Sequence, residues 1–277
     1  MLKVIQAEWF HVVHRRQTWI VLAGAVVVMT LSLGAARGYD YHSAYLAYLA
    51  ALGGGANPVW LAVLPLVGSF VMGDVVGWER RTGLLRSVRS RQPLGSLIVG
   101  QLIATLLFTL LLVAVVLAVT LCLSLVLLPP MPPWHHVATG RLTITVPGPP
   151  TAYTPYPTFL HALFFMDPLG YLFIFSGIVL LATAFWGLLS LAISSWTTNT
   201  YIILGGPWLV YVGLSYIFGA PLHAGLGGWM PIQLAGAFVA SSPLPAAWLI
   251  GIWPLALGLV SGLTVVSFWV RERVSVD

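Results

Sequence analysis

The chain has 277 residues, 59% of them hydrophobic and only 7% charged, with a mean hydropathy of +0.95. That balance excludes a water-soluble domain, and the solvent for most of the surface must be lipid. The net charge of +5 does not point to nucleic acid, because the 12 Lys and Arg lie in short clusters between apolar runs, where they set topology. The single cysteine, Cys122, sits inside an apolar run, so there is neither a disulfide framework nor a CxxC site.

The first 17 residues read as an interfacial amphipathic helix. Leu2, Ile5, Trp9, Val12 and Val13 recur at helical spacing, while Lys3, Gln6, Glu8, His11, His14 and Arg15 occupy the other side. With about 20 apolar residues needed per crossing, Thr18 to Ala36 forms a first span rather than a cleaved leader. Ala44 to Leu52 is too short to cross and is expected at the outer surface. Asn57 as N-cap and Pro58 at the first helical position open a second span that reaches Trp78.

A polar segment, residues 79–92, follows and carries five arginines before Pro93 restarts the chain. The apolar run from Leu94 to Leu128 would measure ~52 Å as a helix against a hydrocarbon thickness of ~30 Å. Either it tilts or its first turns stand outside the membrane. Residues 129–166 are expected as an extracellular loop, rich in proline at first, in which Arg141 to Val146 alternates like a short strand. His135 and His136 stand there as a tandem pair. On an extended chain adjacent side chains point opposite ways, so the pair reads as solvated loop rather than metal site.

Asp167 and Pro168 cap and start a fourth span that runs to about Ile193. A polar link, Ser194 to Thr200, leads into a fifth span from Tyr201 to Phe218, and a sixth runs from Ala246 to Val270 before Arg271, Glu272 and Arg273 stop it. Between the last two, Ile232 to Ala240 is apolar but too short to span and reads as a re-entrant outer helix. The expected fold class is therefore an all-α polytopic membrane protein of about six transmembrane helices, forming a single transmembrane domain. Ten basic residues fall on one side and only Arg37 and Arg141 on the other. The positive-inside rule then puts both termini and residues 79–92 in the cytoplasm.

The only lysine is Lys3, so no Walker A loop exists and the chain binds no ATP through one. HExxH is absent as well. Of the carboxylates near spans, Asp167 is explained as an N-cap and Asp74 is a possible intramembrane polar site about one turn from the end of span two. That leaves the stretch from Gly73 to Gly100. Charge placement alone does not account for Glu79, Arg80 and Arg81, then Gly83, Leu84, Leu85 and Arg86, then a proline break. An acid in the first turn favours a helix, and the Leu pair offers an apolar knuckle for a partner's groove.

On these residues and on its layout the chain resembles the membrane subunit of the type-2 ABC exporters. That family has six helices, separate nucleotide-binding subunits and a coupling helix between spans two and three. Glu79, Arg80, Gly83, Leu84, Leu85 and Pro93 sit at the matching positions, the amphipathic start matches the family's connecting helix, and Ile232 to Ala240 its outer re-entrant helix. The resemblance implies a permease subunit in the cell membrane, coupled through Glu79 to Arg86 to two copies of an ABC ATPase subunit. Those subunits bind ATP and Mg, and this chain needs no cofactor. A second permease subunit, identical or homologous, would complete a dimer around a path for amphipathic or apolar cargo. Membrane lipid surrounds it and nucleic acid is no partner. Two alternatives stand beside this reading: an ATP-independent secondary transporter using Asp74, and an intramembrane lipid-modifying enzyme, for which the sequence offers no convergent acids or histidines.

Overall fold

The structure, a computed structural model, describes residues 2–38, 43–52, 62–70, 93–129, 134–139, 142–147, 160–219 and 246–274, together with Gly73, Val75 and Thr82. Its helices are α1 (Leu2–His14), α2 (Arg16–Gly38), α3 (Ala44–Leu52), α4 (Leu94–Leu127), α5 (His161–Met166), α6 (Pro168–Trp196), α7 (Thr200–Gly219) and α8 (Ala246–Val274). Residues 62–70 are also helical, as are Gly73 and Val75. Among the described residues, five helices are long and apolar enough to cross a membrane, namely α2, α4, α6, α7 and α8. The chain is an all-α polytopic membrane protein. The second expected span is described over 62–70 and at Gly73 and Val75, and the expected re-entrant helix at Ile232 to Ala240 lies outside the described residues.

Helices answer the bilayer's demand that every backbone polar group be satisfied within its own segment. Several buried hydroxyls inside them behave the same way. Thr105, Thr120, Thr183 and Thr264 each donate to the carbonyl four residues earlier, at 2.7–2.8 Å. Where helices end, side chains take over: the Asp167 carboxylate accepts from the Gly170 N–H at 3.0 Å, with Pro168 at the first helical position. Asn199 plays the corresponding part for α7, accepting from the Tyr201 N–H at 3.0 Å.

α6 is the central helix. It packs against α4 and α8, takes α7 alongside, and touches α3 and α5 near its start. Tyr171, Phe175, Val179, Ala182, Leu188 and Leu191 are all buried along it. α4, with 34 residues, is longer than any crossing requires. Leu97, Ile98 and Leu102 of α4 meet Leu188 and Leu191 of α6 and Val260 and Phe268 of α8 in a second apolar cluster.

Two elements make protein contacts that the sequence did not announce. α3 is enclosed: Leu46 to Leu52 are buried, packed between α2 and α4 with the Ala44 N–H donating to the Pro129 carbonyl at 2.8 Å. A nine-residue helix too short to span is tolerated because the surrounding protein buries all of it but Tyr45. α1 forms as expected but docks against protein, with Val12 buried and the Trp9 ring 4.9 Å from that of Phe108 on α4. In the proline-rich stretch, the expected strand forms as β2 (Leu142–Pro147). It pairs antiparallel with β1 (Trp134–Thr139), which carries His135 and His136 opposite Val146 and Thr145.

Candidate coupling site and the helix junction behind it

The residues singled out from the sequence, Glu79, Arg80, Arg81, Gly83, Leu84, Leu85 and Arg86, and Asp74 as well, lie outside the described residues. What is described is the framework on both sides of them: residues 62–70, Gly73 and Val75 before, Pro93 and α4 after.

That framework is unusually close-packed. A Cβ placed on Gly68 would lie 2.6 Å from the Thr183 carbonyl oxygen and 2.9 Å from the Gly187 nitrogen, so the two backbones touch without intervening side chains. Gly187 is enclosed from a third side, because a Cβ there would stand 2.9 Å from the Thr109 hydroxyl of α4. Three helices therefore meet at Gly68, Gly187 and Thr109, all within a small-residue setting that includes Thr105 and Thr183. In lipid, apolar side chains gain little by facing each other, so close backbone approach through glycine supplies the van der Waals contact that holds spans together. The Thr109 hydroxyl is buried there and has no hydrogen-bond partner among the described residues.

Nearer in sequence to residues 79–92 the same theme is repeated with a hydrogen bond. Pro207 stands inside α7 and is buried, and having no N–H it leaves the carbonyl four residues earlier, that of Ile203, without its helical donor. The Ser190 hydroxyl of α6 donates to that carbonyl at 2.9 Å. Gly73 closes the node, since a Cβ on it would collide with the Ser190 hydroxyl and lie 3.0 Å from Ile203 Cγ2. One turn along, a Cβ on Gly206 would press on Ile193 at 2.9 Å, and the Tyr211 ring stands edge-on to Trp186 at 5.8 Å. Gly73 is thus held against α6 and α7, six residues before Glu79 in the sequence.

At the same end, Arg271 of α8 donates from its guanidinium to the Ser195 carbonyl at 2.6 Å, a contact 76 residues apart in sequence. A cation at the C-terminus of α6 satisfies one of its open carbonyls and complements its dipole. Sequence reasoning read Arg271 as a stop signal and a topology marker. It did not find this tie, the Ser190–Ile203 bond or the glycine contacts, because each joins residues on different helices. The one local signal was Pro207, which implied a freed carbonyl without naming its donor.

Among the described residues no three of His, Cys, Asp and Glu come together. The sequence matches no protein-family model and no curated protein.

Proposed function

We propose that this chain is the membrane-spanning permease subunit of an ATP-driven ABC exporter. The observation that carries the reading is the pattern between Gly73 and Gly100, in which Glu79, Arg80, Gly83, Leu84 and Leu85 precede the Pro93 restart in a chain of this layout. The packing of the flanks supports it. A coupling segment transmits force only if its roots are stiff, and Gly68 and Gly73 root one end directly on the backbone and side chains of α6. Movement applied at 79–92 would reach α6 through Gly73 and Ser190, and α7 through Ile203 and Pro207.

In this reading two ATPase subunits bind ATP and Mg beneath a dimer of permeases, and their closure shifts the path between inward and outward access by favouring one permease conformation over the other. The ten-to-two division of basic residues sets both termini and residues 79–92 on the cytoplasmic face of the cell membrane. The cargo is apolar or amphipathic, in keeping with spans that are nearly free of charge.

The test is to reconstitute the chain with the ATPase that copurifies with it and to compare Leu84→Asp and Glu79→Ala with Arg91→Gln. Leu84→Asp introduces a charge into an apolar contact, at a cost of about 2–4 kcal/mol where water is excluded. Leu84→Asp and Glu79→Ala should insert normally, because the neighbouring arginines keep the topology signal, yet lose complex recovery or cargo-stimulated ATP hydrolysis. Arg91→Gln should retain both. Wild-type coupling in Leu84→Asp and Glu79→Ala, or the lack of any associated ATPase, would reject the proposal.

A further inference from the structure

A groove of about 200 Å³ opens between α4 and α6, away from the coupling framework. Its floor is made by small residues, Ala114 and Ala118 on α4 and Ser176 on α6, and its rim by Leu169 and Phe173, of which Phe173 is 75% exposed. At its base Tyr48, carried there by the buried helix α3, places its hydroxyl 2.8 Å from that of Ser176. Everything else lining it is apolar.

Two features fix what can occupy it. The first is hydrogen-bond accounting. Two hydroxyls carry two protons, and their mutual bond uses one. Among the described residues neither oxygen has a further partner. Either hydroxyl can donate the shared bond, and both line the groove, with Tyr48 only 1% exposed, so the remaining proton has the groove rather than bulk water within its reach. An unused donor in an apolar setting calls for an acceptor.

The second feature is depth. Trp196 and Tyr201, 60% and 87% exposed, mark an aromatic belt where α6 gives way to α7, and Arg271 lies beside them on Ser195. From Trp196 back to Ser176 is 20 residues of continuous helix. That is ~30 Å, the thickness of the hydrocarbon layer. With Trp196 at one edge of that layer and α6 along the membrane normal, Ser176 and the Tyr48 hydroxyl fall at the opposite edge and the two turns from Pro168 to Phe175 stand beyond it; this is the level at which the glycerol esters of a phospholipid lie and the acyl chains begin. Ala114 and Leu180 continue the groove from there toward the bilayer centre.

We propose that this groove is a binding site for one acyl chain of a membrane phospholipid whose ester carbonyl accepts the hydrogen bond left over by the Tyr48–Ser176 pair. The narrow apolar channel takes the chain, the hydroxyl pair reads the ester, and the headgroup remains at the surface above Leu169. The site stands whether or not the chain is a permease. It gives a role to α3, whose burial carries a tyrosine to the ester level.

The experiment uses the full chain in nanodiscs containing a trace of phosphatidylcholine with a diazirine in its acyl chain, made in an ester-linked and an ether-linked form. The ester form should label peptides containing Ala114, Ala118 and Phe173 about two- to tenfold more than the ether form, the worth of one net hydrogen bond. Labelling of the exposed α8 face at Leu255, Leu259 and Leu263 should not distinguish the two. Tyr48→Phe combined with Ser176→Ala should erase the preference while leaving the channel open, and Ala118→Trp should abolish labelling of the groove by both forms. Equal labelling by ester and ether probes in the unmodified chain would overturn the proposal. So would groove labelling no stronger than that of α8, or replacement of lipid adducts by crosslinks to a second copy of the chain. Because the ester and ether comparison is made on the unmodified chain, the result does not depend on the variants folding.

Discussion

α6 and α7 are neighbouring spans, yet 56% of the most apolar stretch of α6 is buried in the protein and only 17% of that of α7. In water, such a difference would follow from hydrophobicity. In lipid it cannot, because the tails are as apolar as leucine. What separates the two helices is where their small residues meet something. Gly187 on α6 is enclosed by the Gly68 backbone and Thr109, whereas on α7 Gly206 meets only the Ile193 side chain, and Gly205 and Gly213 have nothing within 4 Å of where a Cβ would stand. The centre of this bundle is therefore set by close backbone approach, and the edge by its absence.

The strongest way to break that comparison is to fill the junction. Gly187→Leu drives a side chain into Thr109 and the Gly68 backbone, and should cost at least about 1–3 kcal/mol, read as loss of monodisperse protein or a lowered unfolding transition in mild detergent. Gly213→Leu adds the same atoms to α7 and should stay within about 0.5 kcal/mol of the parent. Equal tolerance of the two would mean that the close approach at Gly187 does not hold the spans together.

A smaller effect tests how α7 is tied on. Ser190→Ala strips the donor from the Ile203 carbonyl and should cost about 1 kcal/mol, near the upper part of the range for hydrogen bonds between spans. In a Pro207→Ala background the new N–H can serve that carbonyl itself, so adding Ser190→Ala should then cost less. A double-mutant cycle on unfolding free energy measures the difference, and strict additivity would show that the hydroxyl does not compensate for the proline.

The smallest effect distinguishes an end of α6 from its middle. Asp167→Ala removes the cap on Gly170 and should lower stability by about 0.5–1 kcal/mol, while Asp167→Asn, which still offers an oxygen, should be nearly neutral. A thermal unfolding scan of the two variants beside the parent decides it, with equal losses in both pointing to the charge rather than to the cap.

Much of this was legible in the sequence because the signals are local. The extents of α2, α4, α6, α7 and α8 follow from runs of apolar residues and the polar residues that interrupt them, and Asp167 with Pro168 marks the start of α6 as cap and first helical residue. The pattern around Glu79 and Leu84 is also read along the chain, and what it means for a partner is left to the coupling experiment. α1 was legible as an amphipathic helix, although its partner was not: an apolar face at helical spacing fits lipid headgroups and a neighbouring helix equally well.

The sequence by itself determined which segments are helical and which can cross, since the bilayer imposes length, hydrophobicity and internal hydrogen bonding on every span separately. Only the tertiary structure decided that the short helix α3 is enclosed, that Gly68, Gly73 and Gly187 are contact points while Gly205 and Gly213 are not, and that Ser190 serves the carbonyl Pro207 releases. The physical reason is that a glycine or serine in an apolar run has the same local meaning wherever it falls. Its energetic value depends on which backbone stands opposite, and that is settled by how the helices pack.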